Sequence, residues 1–370
     1  MSEAGSQPPD YIVQRWQAAR AELKKLKGDA LLVTYFPDVS WLTGFEGDDS
    51  WALLTPDQVW LISDFRYAEQ IARECPWVHA VMRKKRLSEE LSKICKKCKI
   101  RTLAVQEESV SLRQQAAIKE FTVPAGIRLK AVLEILVKLR NIKDSHEIAL
   151  IEQAVTIAEH SFEALKAHLK AGQTENEIAG LLVYEMRRRG ASNASFDPIV
   201  AAAANGSLPH YRPGAVKMQN NSALLVDWGA LYNGYRSDLT RMIFMGDPPR
   251  KIREIYQVVL EAQQAAIAAI KPDVAGKKID KIARDIIAKA GYGKCFGHSL
   301  GHGVGRDIHE QVSLSQRGDV ILKPGMIVTV EPGIYLPGVG GVRIEDDILV
   351  TQTGCRVLSS LPKTLNSAWL

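Results

Sequence analysis

An Asn-Gly step between two apolar runs constrains this chain more than any other feature. It stands at Asn233-Gly234, inside the stretch 224–244, LLVDWGALYNGYRSDLTRMIF. Both residues of a two-residue type I′ turn need φ > 0, and Asn-Gly adopts that conformation without strain. A hairpin closed there sets Tyr232 opposite Tyr235 and Gly229 opposite Asp238. Side chains alternate between faces along a strand, so Asp227 falls on the same face as Asp238. The two carboxylates are then diagonal neighbours, roughly 5–8 Å apart. On a half-buried sheet face they repel each other and need compensation, which a pair of metal ions supplies. The competing reading is that one Asp only caps the turn.

Later stretches supply the remaining ligands. In FGHSLGHGVGRDIHE (296–310), Gly301, Gly303 and Gly305 let the backbone turn sharply around His302. Imidazole is a common ligand of transition metals, so His302 is a candidate ligand and His309 a candidate hydrogen-bond donor. In MIVTVEPGIY (326–335), Glu331 ends a strand at Pro332-Gly333. In GVRIEDDIL (341–349), Arg343 and Glu345 share one strand face, opposite Val342 and Ile344. Asp346 and Asp347 follow, and at least one of them reads as a solvent-facing charge. The loop NGSLPHYRP (205–213) carries His210 between two prolines. By itself, a lone loop histidine indicates nothing. One imidazole and four carboxylates (Asp227, Asp238, His302, Glu331 and Glu345) suit two oxygen-preferring or borderline cations. Mn²⁺, Co²⁺ and Zn²⁺ are all chemically plausible, and a Cys-rich structural zinc site does not fit.

At 370 residues the chain predicts two domains. The first third alternates strands and helices, as an α/β domain does. The polar break LRNIKD (139–144) places the boundary so that residues 1–138 form an N-terminal domain and 139–370 an α+β domain. Helices are expected over 11–27, 64–73, 146–171, 174–189, 250–270 and 275–290. The fourth of these opens on the capping-box pattern Thr-Glu-Asn-Glu. Two carboxylate-bearing hairpins, Asp227/Asp238 and Glu331/Glu345, suggest an internal pseudo-twofold. The segment 36–51, with Trp41, Asp48, Asp49 and Trp51, reads as an acidic-aromatic loop that reaches toward an active site, across a dimer.

The net charge of +6 gathers at 24–27, 83–86 and 93–99. No recognition motif or interleaved aromatics accompany these lysines, so they read as a solvated face rather than a nucleic-acid site. No apolar run reaches the eighteen or so residues of a membrane span. The opening MSEAGSQPPD lacks the pattern of a secretory leader. Five cysteines make no disulfide framework and fit a reducing cytoplasm. Cys95-Lys-Lys-Cys98, without a second pair, reads as a helix end with one buried and one exposed thiol.

With these residues in place, the chain resembles the pita-bread metallopeptidases, in the Xaa-Pro branch that holds aminopeptidase P and prolidase. The Asp…Asp spacing, the Gly-His-Gly turn, the Glu-Pro-Gly-Ile-Tyr strand and the Gly-Val-Arg-Ile-Glu-Asp strand stand here in the family's order. The N-terminal part is similar, in VSWLTGF and LISDFRYAEQI, to the family's creatinase-like α/β domain. The resemblance implies a C-terminal pita-bread, creatinase/aminopeptidase-like catalytic domain holding two divalent metal ions. Asp227 would chelate one ion, Asp238 and Glu345 would bridge both, and His302 and Glu331 would complete the ligands of the second ion. His210 and His309 match the histidines that flank the substrate, Arg343 matches a strand arginine with a substrate or supporting role, and His298 reads as structural or pocket-lining.

The implied reaction is hydrolysis of the bond before proline, at a peptide N-terminus or in an Xaa-Pro dipeptide, by a dinuclear-metal-bound hydroxide. His309 would stabilise the oxyanion and Glu331 would pass the proton to the leaving nitrogen. The partners expected are a proline-containing peptide and a second copy of the chain, with no nucleic acid and no membrane. Three rivals remain. A metal-free creatinase-like amidinohydrolase would leave four clustered carboxylates uncompensated. A non-catalytic binding module would show degenerate ligands, and none are degenerate. Against methionine aminopeptidase stand the separate N-terminal domain and the short Glu331–Glu345 spacing.

Overall fold

The computed structural model describes residues 7–370, so the leader reading at residues 1–6 lies outside the described residues. The chain divides into two compact units, one ending at Arg140 and one beginning at Asn141. In the first unit a six-stranded sheet runs in the spatial order His79–Met82, Val59–Ser63, Trp51–Leu54, Ala30–Val33, Thr102–Gln106, Arg128–Val132. The central strand Ala30–Val33 is buried along its whole length. Leu31 and Val33 enter one apolar layer, and Ala30 and Leu32 enter the other. An uninterrupted apolar run is what a strand covered on both faces requires.

The segment 36–51 is not a loop throughout. Phe36–Thr43 is a helix with Pro37 in its first turn, closed by Gly44 at φ 83°. Proline's fixed φ suits that position, where the missing N–H costs nothing. Trp41 and Trp51 are core residues, 3% and 8% exposed. Asp48 accepts from the Tyr67 hydroxyl, and Asp49 pairs with Arg66 and Arg83. The residues that prompted the idea of a reach toward an active site are therefore engaged within their own unit. Cys95 is buried in the helix Leu87–Lys97, and Cys98 caps that helix half-buried rather than exposed.

In the second unit four helices, Ser145–His168, Glu175–Arg188, Arg250–Ala268 and Gly276–Lys289, flank the strands. Asp144 with Glu147 and Thr174 with Glu177 form capping boxes at the first two. The first ends at His168, short of the expected 171; Leu169 turns to extended backbone and is buried.

The hairpin read from Asn-Gly closes there, with Asn233 at φ 46° and Gly234 at φ 77°. Tyr232 pairs with Tyr235 at the tip. Below it, Ser222–Trp228 pairs with Leu239–Met245 from Trp228↔Leu239 to Ser222↔Met245. Between tip and base the hairpin passes from one sheet to another, and Gly229 and Asp238 stand in the break. A second hairpin repeats this plan. Its base is Ile327–Val330 with Asp346–Val350, its tip Gly333–Leu336 with Gly340–Arg343, and Glu331 and Glu345 stand in the break. An isolated bridge, Thr240↔Glu345, joins the two hairpins.

Alternation along Ser222–Trp228 sends Leu224, Val226 and Trp228 to an apolar layer shared with the first helix pair. Ala223 and Leu225 go to the layer shared with the second pair. Asp227 continues that second row, and so does Asp238 beside Thr240, Met242 and Phe244. The carboxylates thus stand, buried, at the end of an apolar layer. Among the described residues, no helix is long and apolar enough to cross a membrane.

Candidate metal centre

Asp227, Asp238, His302, Glu331 and Glu345 all line one cavity of about 400 Å³, together with His210, His309 and Arg343. Four hairpin positions and a short strand bring the five candidate ligands there. His302 lies on Gly301–Gly303, which pairs with both Glu310–Leu314 and Ile327–Val330. One ligand atom each from Asp238, His302 and Glu345 lie within 4.8 Å of one another. His302 Nε2 stands 3.5 Å from Asp238 Oδ2 and 3.6 Å from Glu331 Oε1.

The donor chemistry fits a cation. His302 Nδ1 lies 3.0 Å from the Gly303 carbonyl oxygen, which can only accept, so Nδ1 carries the proton. Nε2 then turns a lone pair toward two carboxylates. Burial pushes the imidazole pKa down to about 4, so protonation does not supply the missing charge at neutral pH. Burial, with the neighbouring carboxylates, raises Asp238 and Glu345 well above the usual carboxylate range. Glu331 is pushed up to about 8, mainly by burial. Asp227 Oδ1 is buried without a hydrogen-bond partner. An unpartnered buried carboxylate oxygen, an imidazole lone pair and carboxylates raised by burial and mutual repulsion are all satisfied together by divalent cations.

Around the ligands a second tier fixes their orientation. Arg343 Nη2 donates to Asp227 Oδ2 at 2.5 Å, and its Nη1 donates to the Tyr335 hydroxyl at 2.8 Å. The Tyr335 hydroxyl lies 2.9 Å from His298 Nε2, and His298 Nδ1 lies 2.8 Å from the Ser299 carbonyl. With Nδ1 donating to that carbonyl, Tyr335 donates to Nε2, and one chain of hydrogen bonds runs from Asp227 to Ser299. His298 thus lines the cavity as part of this chain. Thr240 Oγ1 donates to Glu345 Oε2 at 2.6 Å and accepts from Arg343 Nε at 3.1 Å. Thr240 was not singled out from sequence, although it follows Asp238 by two residues on the same strand face, which is a readable signal.

Asp346 and Asp347 are both fully buried, so neither is the solvent-facing charge expected of one of them. Asp346 accepts from Arg241 Nη2 at 2.7 Å and Gln263 Nε2 at 2.7 Å, and also from Lys363 and Ser359. Burial opposes its ionisation, yet Arg241 and Lys363 hold it below the ordinary range. Asp347 accepts from the Asp238 backbone N–H at 2.9 Å, and burial raises it to about 8. Their partners come from distant segments, so local sequence gave no sign of them.

The cavity lining also includes the apolar residues Phe196, Ile199, Pro209 and Ile308. His309 packs edge-on against His302, with ring centroids 4.4 Å apart. Burial, with repulsion from His210, lowers its pKa, which leaves a neutral ring able to donate one N–H. His210 is exposed at the rim.

Residues 149–352 match the family described as metallopeptidase family M24, and residues 15–142 match the creatinase/prolidase N-terminal domain. An uncharacterized peptidase of Bacillus subtilis is 40% identical over 91% of this chain and 95% of its own length. A Xaa-Pro dipeptidase of Pyrococcus furiosus is 42% identical over 69% of this chain and 71% of its own. Among solved structures, a Xaa-Pro dipeptidase from Bacillus anthracis superposes with TM-score 0.92 at 36% identity, covering 97% of this chain and 100% of that one. An X-Pro aminopeptidase from Thermotoga maritima gives TM-score 0.88 at 35% identity, covering 93% and 99%.

Proposed function

Because this chain belongs to metallopeptidase family M24, we propose that its cavity is the hydrolytic centre of a metal-dependent Xaa-Pro peptidase that cleaves the bond before proline. The observation that carries the reading is the convergence of four carboxylates and the His302 lone pair at the end of an apolar layer. Asp227, Asp238, His302, Glu331 and Glu345 would hold two divalent ions. The chemistry that two such ions would supply there is acidification of a water and polarisation of the scissile carbonyl. An oxygen-rich donor set with one imidazole favours Mn²⁺ over the softer metals.

The protein's own groups do the rest. Neutral His309 donates a hydrogen bond to the oxygen on which negative charge develops. His210, at the rim, holds the substrate against the centre. Glu331 carries the proton toward the leaving nitrogen. That nitrogen belongs to a tertiary amide with no N–H, so the site must recognise the ring instead. Phe196, Ile199, Pro209 and Ile308 provide an apolar wall for it. Arg343, tied to Asp227 and Tyr335, fixes the orientation of the first ligand and edges the substrate space. Catalysis is assigned to residues 139–370, with 1–138 as the accessory domain.

The reading extends to a cytoplasmic homodimer. The five thiols are all free, as a reducing compartment keeps them. The pairing follows the resemblance to the Xaa-Pro branch, and light scattering measures it. The decisive assay follows proline release from Gly-Pro and arginine release from Arg-Pro-Pro, with Mn²⁺ and after chelation. Metal-dependent release is expected. No release from either peptide by metal-loaded protein would overturn the reading.

A further inference from the structure

His210 has no hydrogen-bond partner for its imidazole among the described residues, so its place must come from the chain that carries it. That chain, residues 202–214, is fastened at both ends to one buried carboxylate. Glu175 opens the helix Glu175–Arg188 and is 0% exposed. Its Oε1 accepts from the Ala202 N–H at 2.8 Å and from Asn205 Nδ2 at 2.9 Å. Its Oε2 accepts from the Tyr211 hydroxyl at 2.8 Å and from the Gly214 N–H at 3.1 Å. Asn205 Nδ2 also reaches the Tyr211 hydroxyl, at 2.9 Å. The Asn176 N–H donates to the Gly214 carbonyl at 3.1 Å, so the far end is held twice.

Four donors on one carboxylate fill its lone pairs, and hydrogen bonds to an ionised acceptor are the strong ones. Ala202 ends the strand Ile199–Ala202, whose Ile199 pairs with Asp227. Tyr211 is the residue next to His210. We infer that Glu175 is the positioning residue for His210: by tying Ala202, Asn205, Tyr211 and Gly214 together, it sets the height of the His210 ring above the centre. Its role in turnover rests on the Xaa-Pro reading of His210, whereas its structural claim does not.

The test compares Glu175→Gln with the parent, and both again in a His210→Ala background. Gln keeps the shape but turns an NH₂ toward two of the four donors. Expected is a fall in kcat/KM on Gly-Pro or Arg-Pro-Pro of about 10- to 100-fold, through kcat more than KM, with metal content unchanged. In the His210→Ala background the same change should cost no more than about twofold. A loss of equal size in both backgrounds would mean that Glu175 only supports the fold, and would overturn the inference. A second readout needs no turnover. In metal-free protein the His210 ring signal in side-chain NMR should shift or broaden in Glu175→Gln, while those of His298 and His302 stay put. An unmoved His210 signal also overturns the inference. If Glu175→Gln does not fold, Tyr211→Phe removes one of the four bonds and decides the same comparison. A parent that cleaves neither peptide removes the functional reading, and the NMR comparison still decides Glu175.

Discussion

The aspartate and glutamate hairpins reach the same centre with different construction. Below its break the aspartate hairpin runs a ladder of seven residue pairs. The glutamate hairpin has four pairs on either side of its break. Within the break, Asp238 stands opposite Gly229, where a Cβ would lie 1.8 Å from the Ser237 carbonyl oxygen. No side chain fits there, and the second carboxylate moves two residues down into the ladder as Asp227. The glutamate hairpin puts a carboxylate at both break positions, Glu331 and Glu345. Each hairpin is clamped by the other: Arg343 holds Asp227, and Thr240 holds Glu345.

If the break positions are the critical ones, Asp238→Asn should give the largest effect. It should lower kcat/KM by more than about 100-fold and reduce the bound metal, because losing a ligand exceeds the loss of an outer partner. Metal analysis beside the Gly-Pro assay checks this, and near-normal metal content with full activity would break the comparison. Next comes the clamp. Thr240→Val removes the donor to Glu345 and the acceptor for Arg343, and metal affinity by calorimetry should fall about 10- to 100-fold. If affinity stays at the parent value, Glu345 is held by its backbone alone.

A third test uses pH. In the metal-free protein the folded Glu331 pKa lies near 8, above its ordinary 4.5, and Asp238 and Glu345 also lie high. A raised folded pKa contributes stability that is fully present below the unfolded pKa and is lost as pH rises through the folded one. Chelated protein should therefore lose Tm between pH 5 and 8, while metal-loaded protein should not. The gap between them should widen by at least about 2–4 °C, read by scanning calorimetry. The smallest effect belongs to the tips. Asn233→Ala forces an ordinary residue to hold φ 46° and should lower stability by about 1–2 kcal/mol in urea titration. Gly338→Ala, in the glutamate hairpin tip at φ 75°, should cost about the same. Activity per folded molecule should be unchanged in both, because the tips lie beyond the breaks.

The parts legible in sequence are those with a local signature. Asn233-Gly234 fixed a register that runs unchanged from the tip to Met245. Thr174 and Glu177 announced a helix start, and Glu-Pro-Gly marked where Glu331 leaves regular strand, whereas His302, expected at a sharp turn, lies on the strand Gly301–Gly303 with a bulge just after it. What stayed hidden was long-range. Asp346 meets Arg241 from 105 residues away, and Glu175 meets Tyr211 across 36. Glu175 looked like one more acidic residue in a capping pattern, since nothing nearby shows that its carboxylate turns inward. The helix Phe36–Thr43 was missed for the opposite reason. Its aromatic and β-branched residues favour extended chain locally, and burial of Val39, Trp41 and Leu42 outweighs that preference.

The reciprocal clamps also govern when this protein can acquire its metal. Arg343 and Asp227 lie 116 residues apart in sequence, and Thr240 and Glu345 lie 105 apart. Closing loops of that length is a slow, non-local event. Neither hairpin holds the full donor set, so a nascent chain has no finished site to offer until both have docked. Tight metal capture then reports that the C-terminal unit has completed folding, and a chain arrested after its first hairpin would leave the cell's metal pool untouched.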